Sequence, residues 1–286
     1  MTQTTTRSTR GSIIAITSGK GGVGKTNVVI NLATSMARLG HRVGIVDADF
    51  GLGNIDVLLG LSPEFHLGHV LNGEKTVDEI ALKGPAGVKI FPAGSGVREL
   101  TQLGRGQWRK LESVLRKISA QLDFLLLDTA AGISDNVIGL LTLAERVMVV
   151  TSFEPAAIVD AYAVVKILTT TAPNKEIGLV INAARDAEEA NLVFRQLDVA
   201  SGKFLKRRLR QYGFIVSDPA VREAVLDQRP LVEQAPQAPA SRCFRILASR
   251  ISGSTPGGGN ALRLAPPPVA DARPTTLFEQ ESTRCA

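Results

Sequence analysis

The residues of this chain best suited to chemistry lie in one short stretch, residues 18–26, which reads SGKGGVGKT. It matches the pattern G-x-x-x-x-G-K-[ST] at four positions, namely Gly19, Gly24, Lys25 and Thr26. Glycines allow backbone N–H groups to turn towards a phosphate, and a helix that starts there adds its positive end. In such a loop the lysine reaches the β- and γ-phosphates and the hydroxyl binds Mg²⁺. We therefore predict a phosphate-binding loop, with Lys25 as an exposed loop charge outside the core.

The segments around the loop have the patterns that such a loop requires. Residues 13–16 form an apolar run, and residues 28–39 repeat apolar side chains at helical spacing until Gly40, a helix stop signal. Residues 41–46 follow as a short strand. Further strand candidates are residues 88–91, 124–127, 147–151 and 177–181, separated by helical patterns such as residues 108–122 and 157–170. This alternation predicts an α/β fold, with a doubly wound, mainly parallel sheet, helices on both faces and ligands at the carboxyl ends of the strands.

Carboxylates stand at the ends of two of these strands. Asp47 and Asp49 alternate at the end of the second strand, and Asp128 ends the apolar run FLLLD. A metal-bound phosphate needs carboxylates around the ion and a group that orients the attacking water. We expect Asp128 to act on Mg²⁺ from its outer shell of ligands. Acids that only cap the polar end of a strand are the alternative.

A second lysine, Lys20, stands at the start of the loop, where an ordinary phosphate loop does not require one. With this lysine, KGGVGKT resembles the deviant Walker A loop of the MinD/ParA class of ATPases. The resemblance implies an enzyme that hydrolyses ATP with Mg²⁺. It also implies a homodimer formed with ATP, in which Lys20 contacts the nucleotide of the second subunit. A solvated loop charge is the alternative for this lysine.

The same resemblance assigns roles to the residues of the site. Catalysis is assigned to Lys20, Lys25 and Asp49, of which Asp49 positions the lytic water. ATP binding is assigned to Gly19, Lys20, Gly21, Gly22, Val23, Gly24, Lys25, Thr26, Asn182 and Asp218. Mg²⁺ is assigned to Thr26, Asp47 and Asp128. The switch loops are assigned Asp49, Gly51, Asn54 and Gly132, of which Gly132 would let its loop respond to the γ-phosphate.

The resemblance places two of these residues on the base side of the nucleotide. Asn182 closes a strand candidate at the position where the class carries an asparagine that contacts adenine. Residues 213–225 (GFIVSDPAVREAV) resemble the other adenine-side loop, although Val216 stands where relatives commonly have proline. Asp218 precedes Pro219 and could equally be the N-cap of a helix.

Several longer blocks resemble one subfamily of the class, the MinD-like flagellar-number regulators. These blocks are residues 51–61 (GLGNIDVLLGL), 92–100 (PAGSGVREL), 128–136 (DTAAGISDN), the pair Glu154 and Pro155 followed by residues 160–168 (DAYAVVKIL), and residues 218–230 (DPAVREAVLDQRP). The resemblance covers residues 12–251 and implies an ATP dimer that engages a protein partner, such as an SRP-type GTPase or a flagellar transcription activator. The alternatives are a ParA-type DNA or plasmid segregation ATPase and a MinD-type regulator of the cell-division site.

The composition is that of a soluble globular protein. The chain has 286 residues, of which 44% are hydrophobic and 21% are charged. We expect one ATPase domain, residues 12–251, between a disordered arm of residues 1–11 and a disordered tail rich in Gly and Pro, residues 252–286. Cys243 and Cys285 suggest neither a disulfide framework nor a zinc site. Since no signal peptide or membrane-spanning run is visible, we expect the protein in the cytoplasm.

The net charge of +6 permits contact with nucleic acid or an anionic membrane without requiring either. Residues 203–210 (KFLKRRLR) could follow nucleic-acid phosphates, but a solvated basic face is favoured, so nucleic acid is the less expected partner. Residues 241–251 place Phe244, Leu247 and Ile251 on one helical face. A core helix is favoured there over a membrane-surface helix. Weak peripheral contact of the protein with the inner face of the cell membrane is a remaining alternative.

Overall fold

The computed structural model describes residues 11–51, 53–94 and 104–254. The arm and the tail expected from the sequence lie outside these residues except at their inner ends, and so does most of the block at residues 92–100. At the inner end of the arm, Gly11 is buried and its amide donates to the carbonyl of Ser119 at 3.2 Å.

The described strands form one eight-stranded sheet. They are β1 (Ser12–Thr17), β2 (Val43–Ala48), β3 (Leu82–Lys83), β4 (Lys89–Phe91), β5 (Phe124–Thr129), β6 (Arg146–Thr151), β7 (Glu176–Ala184) and β8 (Arg210–Val216). Their order across the sheet is β3-β4-β2-β5-β1-β6-β7-β8. All neighbouring pairs are parallel except β3 and β4.

Helices connect these strands. They are α1 (Lys25–Arg38), α2 (Ile55–Leu58), α3 (Leu67–Asn72), α4 (Val77–Ile80), α5 (Arg105–Ser119), α6 (Asp135–Leu143), α7 (Pro155–Thr171), α8 (Ala187–Leu205), α9 (Pro219–Leu226), α10 (Leu231–Gln234) and α11 (Pro239–Ser252). Within the described residues, no helix is both long enough and apolar enough to cross a membrane.

The order of the strands indicates where a ligand would bind, at the carboxyl end of β1. The chain passes from β1 to β2 on one side, and later crosses β1 when it passes from β5 to β6 on the other. The carboxyl end of β1 therefore borders the point where the winding direction changes, and ligands of such sheets bind outside strand ends at this point. The phosphate loop predicted from the sequence follows β1 directly. The predicted fold class is confirmed.

Each face of the sheet carries its own apolar core. Ile13 and Ala15 of β1 belong to one core, and Ile14 and Ile16 belong to the other, because successive side chains of a strand point to opposite faces. Helices α5 to α8 cover the first face with Leu111, Leu140, Val164 and Leu197. Helices α1 and α11 cover the second with Val28, Met36, Phe244 and Leu247. Burial on both faces explains why the central strands read as continuous apolar runs.

Helix α11 is the core helix expected from the sequence, whereas strands β7 and β8 differ from the strand candidates. Phe244, Leu247 and Ile251 of α11 are buried, as expected of a core helix. Asn182 does not close its strand, because β7 continues through Ala184. Strand β8 was not among the strand candidates. Its first residues are polar and Gly213 interrupts it, which is tolerated because β8 pairs only with β7 on one side.

Candidate nucleotide-binding site

The phosphate loop owes its shape to three glycines. Gly22 and Gly24 have φ angles of +82° and +84°, in the left-handed region that other residues rarely adopt. Gly19 provides room, because a Cβ atom there would lie 2.2 Å from the carbonyl carbon of Asp160 in α7. Helix α1 begins at Lys25 directly after Gly24, and none of the described side chains caps its first turn. The first N–H groups of α1 are therefore directed at the loop as an anion site.

Lys25 is not an exposed loop charge, and this expectation is wrong. Its ammonium forms an ion pair with Asp128 at the end of β5, and the two side chains are only 10% and 2% exposed. The hydroxyl of Thr26 is a further hydrogen-bond partner of the same carboxylate. Burial raises the pKa of Asp128, and the charge of Lys25 opposes that rise. The buried carboxylate of Asp128 thus has a counter-charge in Lys25. Lys25, Thr26 and Asp128, which were predicted to act on the phosphates and the metal, lie together.

Asp47 lies beside Asp128, because the two residues are register partners in β2 and β5. Its carboxylate accepts the backbone N–H groups of Asp49 and Ile55, each at 3.2 Å. Gly53 leaves room for this, since a Cβ atom there would lie 2.7 Å from a carboxylate oxygen of Asp47. Burial and, second, the charge of Asp128 raise the pKa of Asp47 to about 7. Asp47 caps the start of α2 in this structure, and its role at Mg²⁺ stays a prediction.

The remaining switch residues lie in the segments that follow β2 and β5. Asp49 follows β2 and is half-buried, and Gly51 and Asn54 are exposed in the segment that leads to α2. Gly132 has a φ angle of +95°, and its amide donates to the carbonyl of Ser18 at 2.8 Å. The loop after β5 is therefore tied to the phosphate loop by the backbone. A shift of one loop would therefore displace the other.

Lys20 has a partner within its own chain. Its ammonium lies 3.1 Å from a carboxylate oxygen of Glu154, just before α7, and the two side chains are 44% and 55% exposed. An ion pair this exposed contributes at most about 1 kcal/mol, so Lys20 can exchange Glu154 for another anion at low cost. No local sequence signal identified Glu154 as this partner, since 134 positions separate the two residues.

A cavity of about 310 Å³ adjoins the phosphate loop and contains both residues predicted on the base side. Its lining includes Gly24, Asn182, Val216 and Asp218, and three residues that the sequence analysis did not assign to the nucleotide site, Asn27, Arg222 and Phe244. These three come from α1, α9 and α11, which approach one another only in the folded chain. The cavity is therefore the candidate pocket for the base.

A break in strand pairing turns Asn182 towards the loop. The register between β7 and β8 shifts between Ile181 and Ala184, and Ala183 has a φ angle of +54°. Asn182 Nδ2 donates to the carbonyl of Val23 at 2.8 Å. A Cβ atom on Gly24 would lie 2.4 Å from the same Nδ2 atom. Bulges and unusual φ angles often re-aim side chains at functional sites, and here the bulge couples the base cavity to the phosphate loop.

Asp218 is a helix N-cap, which was one of its two predicted roles. One carboxylate oxygen accepts the amide of Ala220 in α9 at 3.0 Å, and the other accepts the amide of Ala240 in α11 at 3.1 Å. Asp218 therefore joins the starts of two helices at the wall of the cavity. Its contact with a nucleotide stays a prediction.

We expect Asn182→Ala to weaken ATP binding about fivefold, because a hydrogen bond that holds the loop, worth about 1 kcal/mol, is lost. Titration calorimetry with ATP measures this. The matched control is Asn191→Ala, whose side chain accepts Gln211 Nε2 at 2.8 Å and does not line the cavity. An equal loss of affinity in both variants, or none in Asn182→Ala, would contradict the role of Asn182.

The donors present fit Mg²⁺. The hydroxyl of Thr26 is a hard oxygen ligand, and the carboxylates of Asp47 and Asp128 can accept hydrogen bonds from waters on the ion, because Mg²⁺ usually keeps several waters besides phosphate oxygens. Among the described residues, no group of three or more His, Cys, Asp and Glu side chains is arranged to hold a metal ion. A site shared with phosphate oxygens does not need such a group.

A mainly parallel sheet with a glycine-rich phosphate loop between β1 and α1 defines a P-loop nucleotide-binding protein. Residues 10–252 match the ParA family, described as NUBPL iron-transfer P-loop NTPase. The chain therefore belongs to the ParA/MinD family of P-loop NTPases.

Named relatives and solved structures agree with this family. The chain is 41% identical to the antiactivator FleN of Pseudomonas aeruginosa over 239 residues, which are 84% of this chain and 85% of FleN. It is 35% identical to the flagellum site-determining protein YlxH of Helicobacter pylori, over 78% of this chain and 76% of YlxH. The septum site-determining protein MinD of Pyrococcus horikoshii, solved with Mg-ADP, has a TM-score of 0.70 and 25% identity, over 84% of this chain and 96% of that chain.

Proposed function

We propose that this chain is an ATP-dependent, dimerising switch ATPase that regulates the number or placement of flagella. The observation that carries the proposal is that FleN and YlxH match the chain across most of its length, not only at the phosphate loop. Two of the blocks that resemble flagellar-number regulators, residues 51–61 and 218–230, also meet in space. Gln228 Nε2 in the second block donates to the carbonyl of Val57 in the first at 2.7 Å.

The proposed roles at the site follow from the contacts described above. Lys25 would exchange its ion pair with Asp128 for the β- and γ-phosphates. Thr26 would hold Mg²⁺ directly, with Asp128 and Asp47 in the ion's outer shell, and Asp49 would orient the attacking water. Mg²⁺, when bound, neutralises charge on the phosphates. Lys20 would leave Glu154 for the nucleotide of the second subunit.

The proposed cycle has two states with different partners. ATP would bring two copies together at their phosphate loops, and hydrolysis of the β-γ phosphoanhydride would separate them. The dimer would engage a flagellar partner, such as an SRP-type GTPase or a flagellar transcription activator. We place the protein in the cytoplasm, with peripheral contact at the inner face of the membrane as a weak addition.

Deleting the gene, or replacing it with the Lys25→Ala form, is expected to change the number or position of flagella while plasmid and chromosome inheritance stay normal. The reason is that the ATP dimer is the form that limits assembly. Electron microscopy of cells counts flagella, and a plasmid-loss assay measures inheritance. Normal flagellation with defective inheritance would favour the segregation ATPase, and minicells with normal flagella would favour the division-site regulator.

The basic segment at residues 203–210 gives weak support to the segregation alternative. Arg208 pairs with Asp198 at 2.8 Å, and Arg210 pairs with Glu176 at 3.3 Å. A guanidinium nitrogen of Arg207 donates to the carbonyl of Pro173. Two of the five positive charges in this segment are therefore paired with acids within the chain.

We accordingly expect the ATP-loaded protein to bind DNA weakly and without sequence preference. A true track for phosphates would give tight binding that falls steeply as salt rises, because counterions are released. Fluorescence anisotropy across a salt series measures this. Tight, salt-steep binding that is lost when Lys206, Arg207, Arg208 and Arg210 are neutralised would support the segregation ATPase instead.

A further inference from the structure

A groove lies at the open edge of the sheet, between β8 and α11. Its volume is about 230 Å³, and its lining is apolar apart from two arginines. The apolar part includes Gly213, Phe214 and Val216 from the strand and Cys243, Ile246 and Leu247 from the helix. We call it the edge groove. Val216 also lines the candidate base cavity, so the two spaces share a wall.

The two arginines at the edge groove, Arg242 and Arg250, lack an acidic partner. Among the described residues, no carboxylate lies within ion-pair distance of either one, whereas Arg208, just before β8, and Arg210, at its start, each have one. Arg250 Nη1 donates to the carbonyl of Tyr212 at 2.6 Å. Both arginines are exposed to solvent, so their remaining guanidinium N–H groups are accessible to an anion. The edge groove therefore suits an apolar segment that carries acids.

The chain itself contains such a segment. Residues 255–286 follow α11, and within them residues 275–281 (TTLFEQE) join Leu277 and Phe278 to Glu279 and Glu281. Phe278 is the only aromatic residue in that part of the sequence, and the other leucines there, Leu262 and Leu264, flank an arginine in a stretch rich in Gly and Pro. The combination of bulky apolar side chains with adjacent acids therefore occurs once.

The chain is long enough to bring this segment back along α11. Helix α11 has 14 residues and is about 21 Å long at 1.5 Å per residue. The chain between Ser254 and Leu277 can extend to roughly three and a half times that length at about 3.3 Å per residue. An intramolecular contact is also favoured over contact with a separate molecule, because the linker keeps the effective concentration of the segment high.

We propose that residues 275–281 dock in the edge groove of their own chain, with Leu277 and Phe278 against its apolar lining and Glu279 and Glu281 near Arg242 and Arg250. The docked segment would cover Cys243. The thiol of Cys243 hydrogen-bonds with the backbone of Val216. It is half-buried in the described structure, so it reports directly on whether the edge groove is covered.

The test measures how fast Cys243 reacts with a soluble thiol reagent in the full chain carrying Cys285→Ser, so that one thiol remains. We expect Leu277→Ser/Phe278→Ser to raise the rate about tenfold, which corresponds to a tenfold weaker docking equilibrium. Leu262→Ser/Leu264→Ser is the matched control and should leave the rate unchanged. ATP titration of each variant verifies that the ATPase domain is folded.

A charge exchange gives an independent readout. Arg242→Glu should also raise the rate, and adding Glu279→Arg and Glu281→Arg to that variant should lower it again. Arg250 is left in place because it holds the carbonyl of Tyr212. Equal rates in the parent and the Leu277→Ser/Phe278→Ser variant would overturn the proposal. So would protection that rises with protein concentration, which indicates a second copy, or protection that appears only with anionic phospholipid vesicles, which indicates lipid.

Discussion

Replacing Lys25 by alanine is expected to lower the affinity for ATP about a hundredfold, because the charge proposed to contact the β- and γ-phosphates is lost. The ion pair with Asp128 adds a second effect. A buried carboxylate left without its partner lowers the free energy of unfolding by about 3 kcal/mol. Titration calorimetry measures the affinity, and urea unfolding measures the stability.

A double variant separates these two effects. In Lys25→Ala/Asp128→Asn the buried side chain is a neutral amide, which needs no counter-charge, so most of the lost stability should return while ATP binding stays weak. Unchanged ATP affinity in a folded Lys25→Ala protein would remove the loop from the proposed nucleotide site. Unchanged stability of Lys25→Ala would show that the ion pair contributes nothing to the fold.

Asp49→Ala is expected to slow ATP hydrolysis by about a hundredfold or more, since a residue that manages the attacking water typically contributes at least that much. Because hydrolysis resets the proposed switch, this variant should accumulate as a dimer with ATP. Lys20→Ala should instead stay monomeric with ATP, because it lacks the charge that crosses to the second nucleotide. Sedimentation velocity with ATP and Mg²⁺ measures the oligomeric state of the parent protein, of Asp49→Ala and of Lys20→Ala.

The ion pair between Lys20 and Glu154 supplies the control for this experiment. Glu154→Gln removes the acid that holds Lys20 but keeps the shape of the side chain, so it should dimerise with ATP at least as well as the parent. Loss of dimerisation in Glu154→Gln would mean that the pair itself supports the dimer. A Lys20→Ala protein that dimerises normally would show that this lysine is only a solvated loop charge.

The strands and helices that could be predicted are those whose signal is local. Strands β1, β5 and β6 are covered on both faces, so they read as apolar runs between helical patterns. Strand β8 was not predicted, because it lies at the edge of the sheet, contains Gly213 and pairs with β7 through a register shift. The bounds of β7 were missed for a related reason. The bulge near Asn182 interrupts the regular pattern two residues before the strand ends.

The amino-acid sequence by itself determined the phosphate loop, the α/β architecture and the family resemblance, because each of these depends on residue types at short fixed spacing. Only the tertiary structure decided what the polar side chains contact. Lys25 and Asp128 are 103 positions apart, and Asn182 and Val23 are 159 apart. Asp218 reaches Ala240 only because α9 and α11 start at the same wall of the cavity. Such contacts depend on how strands and helices pack, and no local pattern of residues encodes them.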